Sequence, residues 1–466
     1  MRSHLLTVAA VVVPLTAAPL ITVPVSAGVR DEPSSTAAPL TDLVDLVSGA
    51  GAKKHLEEFQ AIANRSGGNR AAGTPGYEAS AEYVAKQMRQ AGYRVTVQQF
   101  TYSFFREKTK PRLRSGSTSY LASTVQFSAA GTAQGKAVRI KNHGCHSSDY
   151  KRLKPGAIAL VHRGTCTFGT KASQAEAAGA TAVIIVNDKA SLPEATLGGP
   201  GVSRLPVVSV AKNTGSRLAG KQVRVKVNAT TGVRVTSNVL AETPGGREDR
   251  VVMLGAHLDS VEEGPGINDN GSGAAALLEV ATKLGAQTPG NKVRFAWWGA
   301  EELGLLGSRH YITHLSVAER RKIGAYLNFD MIASPNYVYG IYDGDDSDGV
   351  GAGPGPTGSA QIEKDFQDFY ASRGLPHTGV DFDGRSDYGP FIQVGIPSGG
   401  LFTGAEGRKT QADAERFGGT AGKPFDSCYH KACDTVENIS EEALDVNTDA
   451  IAYVLERYIE KLPNEA

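Results

Sequence analysis

The C-terminal half of the chain alternates short, nearly continuous apolar runs with Gly-rich turns and helix-forming segments. Apolar runs at Val251–Ala256, Val293–Trp298, Ala325–Phe329 and Pro397–Phe402 have the length and composition of buried strands. Strands that alternate with helices pack into a sheet that is covered by helices on its faces. The pattern therefore predicts an α/β domain from about residue 235 onward.

Apolar residues recur at helical spacing in several segments of the chain. We predict helices at Gly51–Asn64, Tyr77–Ala91, Lys171–Gly179, Gly273–Leu284, Gln361–Ser372 and Val446–Glu460. A further strand is predicted at Arg94–Tyr102. The first two of these helices and this strand lie before residue 114. The α/β domain therefore begins before the segment of different character that follows.

Residues 114–234 have a different character, because they are rich in Val, Gly, Thr and Ser in short alternating runs. Ala157–His162 and Ala182–Val186 are two of its predicted strands. The segment is predicted to be a small, mostly β domain inserted into the α/β domain. The α/β domain would then be discontinuous and consist of residues 51–113 and 235–462.

The N-terminus has the pattern of a secretory signal peptide over Met1–Ala27. A basic start is followed by an apolar run and a small-residue end, and three prolines in the run argue against a permanent membrane helix. The alternative is a disordered or membrane-bound tail. Residues 28–50 are predicted to be a spacer or pro-segment. We therefore expect a secreted, extracellular protein that is not held in a membrane.

Charge and cysteine content narrow the function classes. Lys+Arg (49) and Asp+Glu (48) nearly cancel, so no basic field supports nucleic-acid binding.

Cys145 and Cys166 form one closely spaced pair and Cys428 and Cys433 form another, which suggests two local disulfides in an exported chain. A zinc ribbon is the alternative, but it requires Cys-x-x-Cys spacing, which is absent.

Polar residues follow three of the predicted strands. His257 and Asp259 come after the first strand, Glu301 and Glu302 after the second, and Asp330 after the third. Ligands bind at the carboxyl ends of strands in open α/β sheets, so these side chains are expected at one edge of the sheet. Imidazole and carboxylate groups are the ligand types of zinc sites.

Two further candidates lie in loops. Asp269 is in the turn Gly266-Ile-Asn-Asp269-Asn-Gly-Ser-Gly273, and His430 lies between Cys428 and Cys433. With the strand-end residues they give two histidines and at least three carboxylates, too many for one tetrahedral zinc and suited to two metals that share a carboxylate. Each residue alone is more often structural, a solvated loop or an ordinary turn, but together they favour a metal centre.

These segments, taken in order, resemble the secreted di-zinc leucyl aminopeptidases of peptidase clan MH. The motifs are His257-Leu-Asp259-Ser, Gly266-Ile-Asn-Asp269-Asn-Gly-Ser-Gly, Trp297-Trp-Gly-Ala-Glu301-Glu302-Leu-Gly, Leu327-Asn-Phe-Asp330-Met and Cys428-Tyr-His430. The insert resembles a protease-associated (PA) domain through Arg163-Gly-Thr-Cys166-Thr-Phe, as in relatives such as aminopeptidase Y. The resemblance implies the zinc-peptidase fold, a mixed central sheet sandwiched by helices, with the PA domain inserted.

The resemblance also implies a ligand set for two zinc ions per chain. His257 and Asp330 would hold one zinc ion, and Glu302 and His430 the other. Asp269 would bridge the two ions.

Four further residues receive roles from the resemblance. Asp259 would hydrogen-bond the ring of His257, and Glu301 would act as general base. Tyr429 would donate a hydrogen bond to the developing oxyanion, and Arg385 would help to hold the free amine of the substrate. The peptide bond between Asp269 and Asn270 is expected to be cis.

Two further expectations also come from the family. Asp445 and Asp449 match a calcium site of single-domain relatives, with Asp45 near the expected third ligand; a solvated acidic face is the alternative. Phe391, Ile396 and Gly399–Gly404 resemble the walls of an apolar substrate pocket, and plain core packing is the alternative for Phe391 and Ile396.

The expected function is therefore that of a secreted, monomeric zinc exopeptidase that releases large apolar, leucine-type residues from peptide or protein N-termini. A carboxypeptidase is the nearest rival. A non-catalytic binding protein of the transferrin-receptor type is a second rival, although such proteins tend to lose metal ligands. The insert could act as a lid, as a docking surface or as a passive addition.

Overall fold

The structure, a computed structural model, describes residues 42–285 and 287–463. The predicted signal peptide, Met1–Ala27, and residues 28–41 of the predicted spacer lie outside this range. Within it, no helix is both long and apolar enough to cross a bilayer.

Helices account for most of the regular structure at both ends of the chain. They are α1 (Leu43–Leu46), α2 (Gly49–Arg65), α3 (Pro75–Gln90), α4 (Phe168–Ala177), α5 (Lys212–Leu218), α6 (Gly273–Leu284), α7 (Leu306–His314), α8 (Val317–Arg320), α9 (Ser359–Ser372), α10 (Tyr388–Ile392), α11 (Gln411–Phe417) and α12 (Glu441–Tyr458). The six predicted helices correspond to α2, α3, α4, α6, α9 and α12.

Strands are concentrated in the middle of the chain and between the later helices. They are β1 (Arg94–Ser115), β2 (Thr118–Tyr120), β3 (Ser123–Thr124), β4 (Gly131–Arg139), β5 (Ile158–His162), β6 (Ala182–Val186), β7 (Val207–Val210), β8 (Gln222–Glu242), β9 (Arg247–His257), β10 (Asn291–Trp298), β11 (Ile323–Phe329), β12 (Gly340–Tyr342), β13 (Thr378–Val380) and β14 (Ser398–Phe402).

The central sheet confirms the predicted mixed α/β fold. Its strand order is β13-β12-β14-β11-β9-β10-β8; β14, β11, β9 and β10 are mutually parallel, β8 is antiparallel to β10, and β12 is antiparallel to β14 but parallel to β13. Leu254 and its neighbours on one face pack against α2, α3, α6 and α12, while Met253 and its neighbours on the other face pack beside Tyr311 and Phe391. Because both faces are buried, the strands are continuously apolar.

The insert has its own parallel strands, β4-β5-β6-β7, with apolar clusters on both sides. It is joined to the central sheet by β1 and β8, which pair antiparallel from Arg94 opposite Glu242 to Arg114 opposite Arg224. The expected strand Arg94–Tyr102 is therefore too short. Its continuation to Ser115 is rich in Lys and Arg and has no long apolar run that would predict a strand. This part of β1 is extended because it pairs with β8.

Residues 42–50 correct the predicted spacer, because they belong to the folded domain. Leu43 and Val47 are buried in the main core, and the Ser48 hydroxyl accepts a hydrogen bond from Gly51 N (3.0 Å) at the start of α2. The Gly49 N–H donates to Asp445 of α12 at 2.6 Å. The signal is present in the sequence, since Leu43, Val44, Leu46 and Val47 form two apolar pairs; the small, polar composition that predicts a spacer belongs to residues 28–39.

This docking predicts a sharp difference between two N-terminal truncations. A chain that begins at Asp42 should match the full chain in urea denaturation. A chain that begins at Gly51 loses the burial of Leu43 and Val47, worth about 1.5–3 kcal/mol for each side chain, and should unfold at clearly lower urea. Equal midpoints for the two truncations would show that residues 42–50 add no stability.

Candidate metal centre

The carboxyl ends of the parallel strands carry most of the candidate ligands to one edge of the sheet. His257 is the last residue of β9, Asp330 directly follows β11, and Glu301 and Glu302 follow β10 after a short turn. His430 approaches from the loop that the Cys428–Cys433 disulfide closes. The second cysteine pair, Cys145–Cys166, is also a disulfide and lies in the insert.

His257 lies between two carboxylates. Its Nε2 atom is 3.3 Å from Asp269 Oδ1 and 3.3 Å from Asp330 Oδ1. The three residues are buried, and their ligand-type atoms lie within 4.8 Å of one another. The group has the size and the donor chemistry of a metal site.

A second group of the same kind contains His430. Its Nε2 atom is 3.1 Å from Asp269 Oδ2 and 3.1 Å from Glu302 Oε2. Asp269 thus turns one carboxylate oxygen toward each histidine and belongs to both groups. Glu302 Oε1 is buried and has no hydrogen-bond partner among the described residues. A buried carboxylate oxygen without a donor is expected where the oxygen binds a cation.

The carboxylates at this edge are electrostatically crowded. Burial raises the pKa of Glu302 to about 8, and burial also raises the pKa of Glu301 well above its ordinary value. For Asp269 burial acts in the same direction, but hydrogen bonds from His257 and His430 outweigh it and hold the pKa low. Bound cations would stabilise the ionised form of all three carboxylates.

Glu301 lies beside the metal-type groups without joining either of them. Its Oε2 atom is 3.9 Å from His257 Nε2, and its backbone N–H donates to Asp259 Oδ1 at 3.1 Å. The backbone bends sharply just before it, since Ala300 has a φ of 60°. The neighbouring carboxylates of Glu301 and Glu302 are therefore held in separate positions.

Asp259 contacts the His257 ring through its backbone carbonyl and not through its carboxylate. The backbone carbonyl of Asp259 lies 3.0 Å from His257 Nδ1, whereas its carboxylate is 3.9 Å away. The carboxylate instead accepts the Glu301 N–H, because the turn after β10 presents that amide to it. Asp259 thus orients the His257 ring through its main chain and the Glu301 segment through its side chain.

The loop that carries Asp269 is held by residues that the sequence reasoning missed. Asp434 accepts the backbone N–H groups of Asn268 (2.8 Å) and Asp269 (3.1 Å). Buried Arg70 donates to the carbonyls of Leu258, Pro265 (2.9 Å) and Gly266 (2.5 Å). Asp434 follows Cys433 directly, which was the available signal; nothing in the local sequence distinguishes Arg70.

The peptide bond between Asp269 and Asn270 is cis, as the resemblance implied. The Asn270 side chain donates to the Phe329 carbonyl at 2.8 Å and accepts the N–H of Met331 at 3.1 Å. These bonds tie the loop to the end of β11, so Asp269 and Asp330 keep a fixed separation.

Asp387 is a third residue of the site that the sequence did not predict. It is fully buried, and neither of its carboxylate oxygens makes a well-formed hydrogen bond with a described residue, although the nearby Ser308 side chain acts to lower its pKa. Burial raises its pKa to about 7, and its charge helps to raise the pKa of Glu301. Nothing in the segment Gly384-Arg-Ser-Asp387 indicates that this carboxylate is buried.

Tyr429 and Arg385 lie together at the mouth of the site. The Tyr429 hydroxyl accepts a hydrogen bond from Arg385 Nη2 (3.1 Å), and Arg385 Nη1 pairs with Glu406 at 3.0 Å. The Tyr429 ring stacks on His430 at a centroid distance of 3.8 Å. Burial raises the pKa of Tyr429, so its hydroxyl keeps its proton and can donate it in a hydrogen bond.

A cavity of about 290 Å³ opens beside the two groups. Its apolar wall is formed by Tyr342, Val380, Phe402 and Phe425, and two residues of the predicted stretch Gly399–Gly404, Phe402 and Gly404, line it. Phe391 and Ile396 do not line it. They are core residues, because Phe391 stacks on Tyr326 at 3.7 Å and Ile396 packs in the same cluster.

The predicted calcium ligands have protein contacts. Asp445 accepts the Gly49 N–H at 2.6 Å, and Asp449 pairs with Arg373 at 2.7 Å. Burial raises the pKa of Asp449, and the charges of Asp445 and Asp45 add to the shift. Among the described residues, the only acidic metal-type group besides the two above is Asp343, Asp345 and Glu363.

Comparison with known proteins agrees with this geometry. Residues 238–455 match Peptidase family M28, and residues 133–218 match the PA domain. An aminopeptidase from Pseudomonas aeruginosa (strain UCBPP-PA14) is 45% identical over 430 residues, covering 86% of this chain and 79% of that protein. The chain belongs to peptidase family M28.

Two further relatives of this M28 chain are informative. Leucine aminopeptidase 2 from Trichophyton rubrum is 41% identical over 401 residues, covering 84% of this chain and 80% of that protein. BSAP, a zinc aminopeptidase from Bacillus subtilis, superposes with a TM-score of 0.57 at 28% identity, covering 89% of this chain and 96% of that one. At family level the activity is that of an aminopeptidase, a hydrolase of peptide bonds.

The contacts of Asp434 generate a prediction about metal affinity. In Asp434→Asn one acceptor oxygen becomes an amide, so one of the two backbone N–H groups at Asn268 and Asp269 loses its partner. We expect zinc affinity, measured by chelator competition, to fall about 10–100-fold. Asp188→Asn, at an exposed carboxylate in the insert, is the matched control and should keep wild-type affinity.

Proposed function

We propose that this M28 chain is a secreted, two-zinc aminopeptidase that releases large apolar residues from peptide N-termini. The observation that carries the proposal is Asp269, whose two oxygens face His257 and His430 from one buried carboxylate. A carboxylate placed in this way suits a pair of cations and is costly without them.

The ligands would divide between two ions. His257 and Asp330 would hold one zinc ion, Glu302 and His430 the other, and Asp269 both. The donor set fits zinc because it combines imidazole nitrogen with carboxylate oxygen and leaves Glu302 Oε1 free to bind. When bound, such ions lower the pKa of water and polarise carbonyl groups.

Glu301 is the proposed general base. Its carboxylate is buried beside His257 and belongs to neither metal-type group, so it is available to accept a proton. It would take a proton from the attacking water and pass it to the nitrogen of the leaving amine. Asp259 holds the backbone of Glu301 in place for this transfer.

Tyr429 is the proposed hydrogen-bond donor to the substrate carbonyl. Because its oxygen already accepts a bond from Arg385, its own proton is free to point to the reacting carbonyl. Arg385 would therefore act on the substrate through Tyr429 and through the segment it pins with Glu406. The free amine would be held by the carboxylates around the metal groups.

The 290 Å³ cavity is the proposed site for the side chain of the first residue. Its aromatic and aliphatic wall favours a large apolar side chain, which supports the leucine-type preference. All five proposed ligands and the base come from one chain, so a monomer would be active. Calcium at Asp445 and Asp449 stays a separate prediction.

Export is supported by two features. Met1–Ala27 has the pattern of a signal peptide, and both cysteine pairs are joined as disulfides, which persist in oxidising compartments.

Metal content is the first test of this function. We expect two zinc ions per purified chain, loss of leucyl-p-nitroanilide hydrolysis after strong chelation, and recovery when zinc is added back. A zinc content near zero with no peptidase activity would instead support a non-catalytic binding protein.

The second test separates the base from the ligands. Glu301→Ala should keep both zinc ions but lose about 100-fold or more in kcat, since only the proton acceptor is removed. Glu437→Ala, at an exposed carboxylate, is the control. Wild-type turnover by Glu301→Ala would contradict the assignment of Glu301 as the general base.

Cleavage of an N-blocked peptide at the same rate as its free form would contradict exopeptidase action.

A further inference from the structure

A second cavity, of about 200 Å³, lies on the other side of Glu302 from the first. Glu302 lines both cavities, and Asp259 contributes to the second. The opposite wall comes from β1, the strand that leads into the insert, through Phe104 and Phe105. The second cavity thus shares Glu302 with the first cavity but has different walls.

Half of the residues that line the second cavity are apolar. Phe104, Phe105, Val261 and Leu303 face it, together with the small side chains Ala71 and Ala72. Leu303 is 42% exposed although it is a large apolar residue, and it follows the proposed ligand Glu302 directly. An apolar side chain that entered from solvent would cover it.

The charged residues at its rim largely neutralise one another. Arg106 pairs with Glu262 and, at 3.2 Å, with Glu263. Glu262 also pairs with Arg234 at 3.4 Å. The two rim carboxylates therefore have two guanidinium partners, so the charge at the rim is largely offset. Asp259 and Glu302 also line the cavity and disfavour an acidic ligand.

We propose that this second cavity binds the side chain of the second residue of the substrate, and that it prefers an apolar one. Successive side chains of an extended peptide point to opposite sides, so a first side chain in the first cavity directs the second side chain away from it. The peptide bond between the two residues then lies at Glu302, which both cavities share. The inference rests on the aminopeptidase function proposed above.

The test compares leucinamide with the dipeptide amides Leu-Leu-NH2, Leu-Phe-NH2, Leu-Gly-NH2, Leu-Lys-NH2 and Leu-Glu-NH2 on the zinc-loaded full chain. Initial rates of substrate loss give kcat/KM for each compound. We expect Leu-Leu-NH2 and Leu-Phe-NH2 to exceed Leu-Gly-NH2 by about 10-fold or more. Equal kcat/KM values for all second residues would overturn the proposal.

Two variants place the selectivity in this cavity. Leu303→Ala should reduce the Leu-Leu-NH2 to Leu-Gly-NH2 ratio about threefold or more, because an apolar wall is lost. Arg106→Ala leaves Glu262 and Glu263 with fewer cationic partners, so the Leu-Lys-NH2 to Leu-Glu-NH2 ratio should rise about fivefold. Leu121→Ala, at an exposed leucine of the insert outside the cavity, should keep both ratios.

The failures are distinguishable. If Leu303→Ala changed the preference between leucinamide and alaninamide but not the preference for the second residue, the cavity would hold the first side chain and the proposal would be wrong. If the zinc-loaded protein cleaved none of the amides, including leucinamide, the aminopeptidase function itself would be rejected and this site with it.

Discussion

The active-site edge of this protein depends on one carboxylate that faces two histidines. Asp269 is buried, and its two oxygens lie 3.3 Å from His257 and 3.1 Å from His430. Glu301, Glu302 and Asp330 crowd around the same point. Charges of one sign at this density are tolerable in a protein interior only when cations or protons offset them. This density of carboxylates is therefore more typical of a metal site than of a structural ion pair.

The surrounding fold fixes Asp269 from three directions. Arg70 satisfies the carbonyls before and within its loop, Asp434 satisfies two of its amides, and Asn270 ties it to the end of β11. Asp434 belongs to the segment that follows the disulfide loop, so the carrier of His430 also holds the shared carboxylate. Both proposed metal groups are thus assembled by the same contacts, and a disturbance of one is expected to reach the other.

Much of this architecture could be predicted from the sequence, because apolar runs and helical periodicity report burial directly. The α6 helix and the β6 strand were predicted to the residue, and the strand-end rule brought His257, Glu302 and Asp330 to one edge. The continuation of β1 to Ser115 could not be read in this way, since after Phe105 it is mostly charged and polar and its partner lies more than a hundred positions away.

The missed site residues share a different cause. Asp387 and Arg70 are polar side chains in loops, and a sequence gives no sign of which loop residues will be buried. The predicted contact of Asp259 with the His257 ring is present, but the sequence could not give the atom that makes it. Its spacing from His257 indicates proximity, but whether a carboxylate or a carbonyl meets the ring depends on the turn after β10, which presents the Glu301 amide as a competing donor.

The long β1–β8 ribbon also bears on what the insert can do. β1 pairs with β8 along most of its length, and β8 in turn pairs with β10 of the central sheet. A hinged lid would have to break ladder hydrogen bonds at the base of this ribbon, whereas a fixed wall would keep them. The ion pairs from Arg106 on β1 to Glu262 and Glu263 fasten the same strand to the peptidase loops. These contacts favour an insert that shapes the substrate cleft by its position and does not need to close over it.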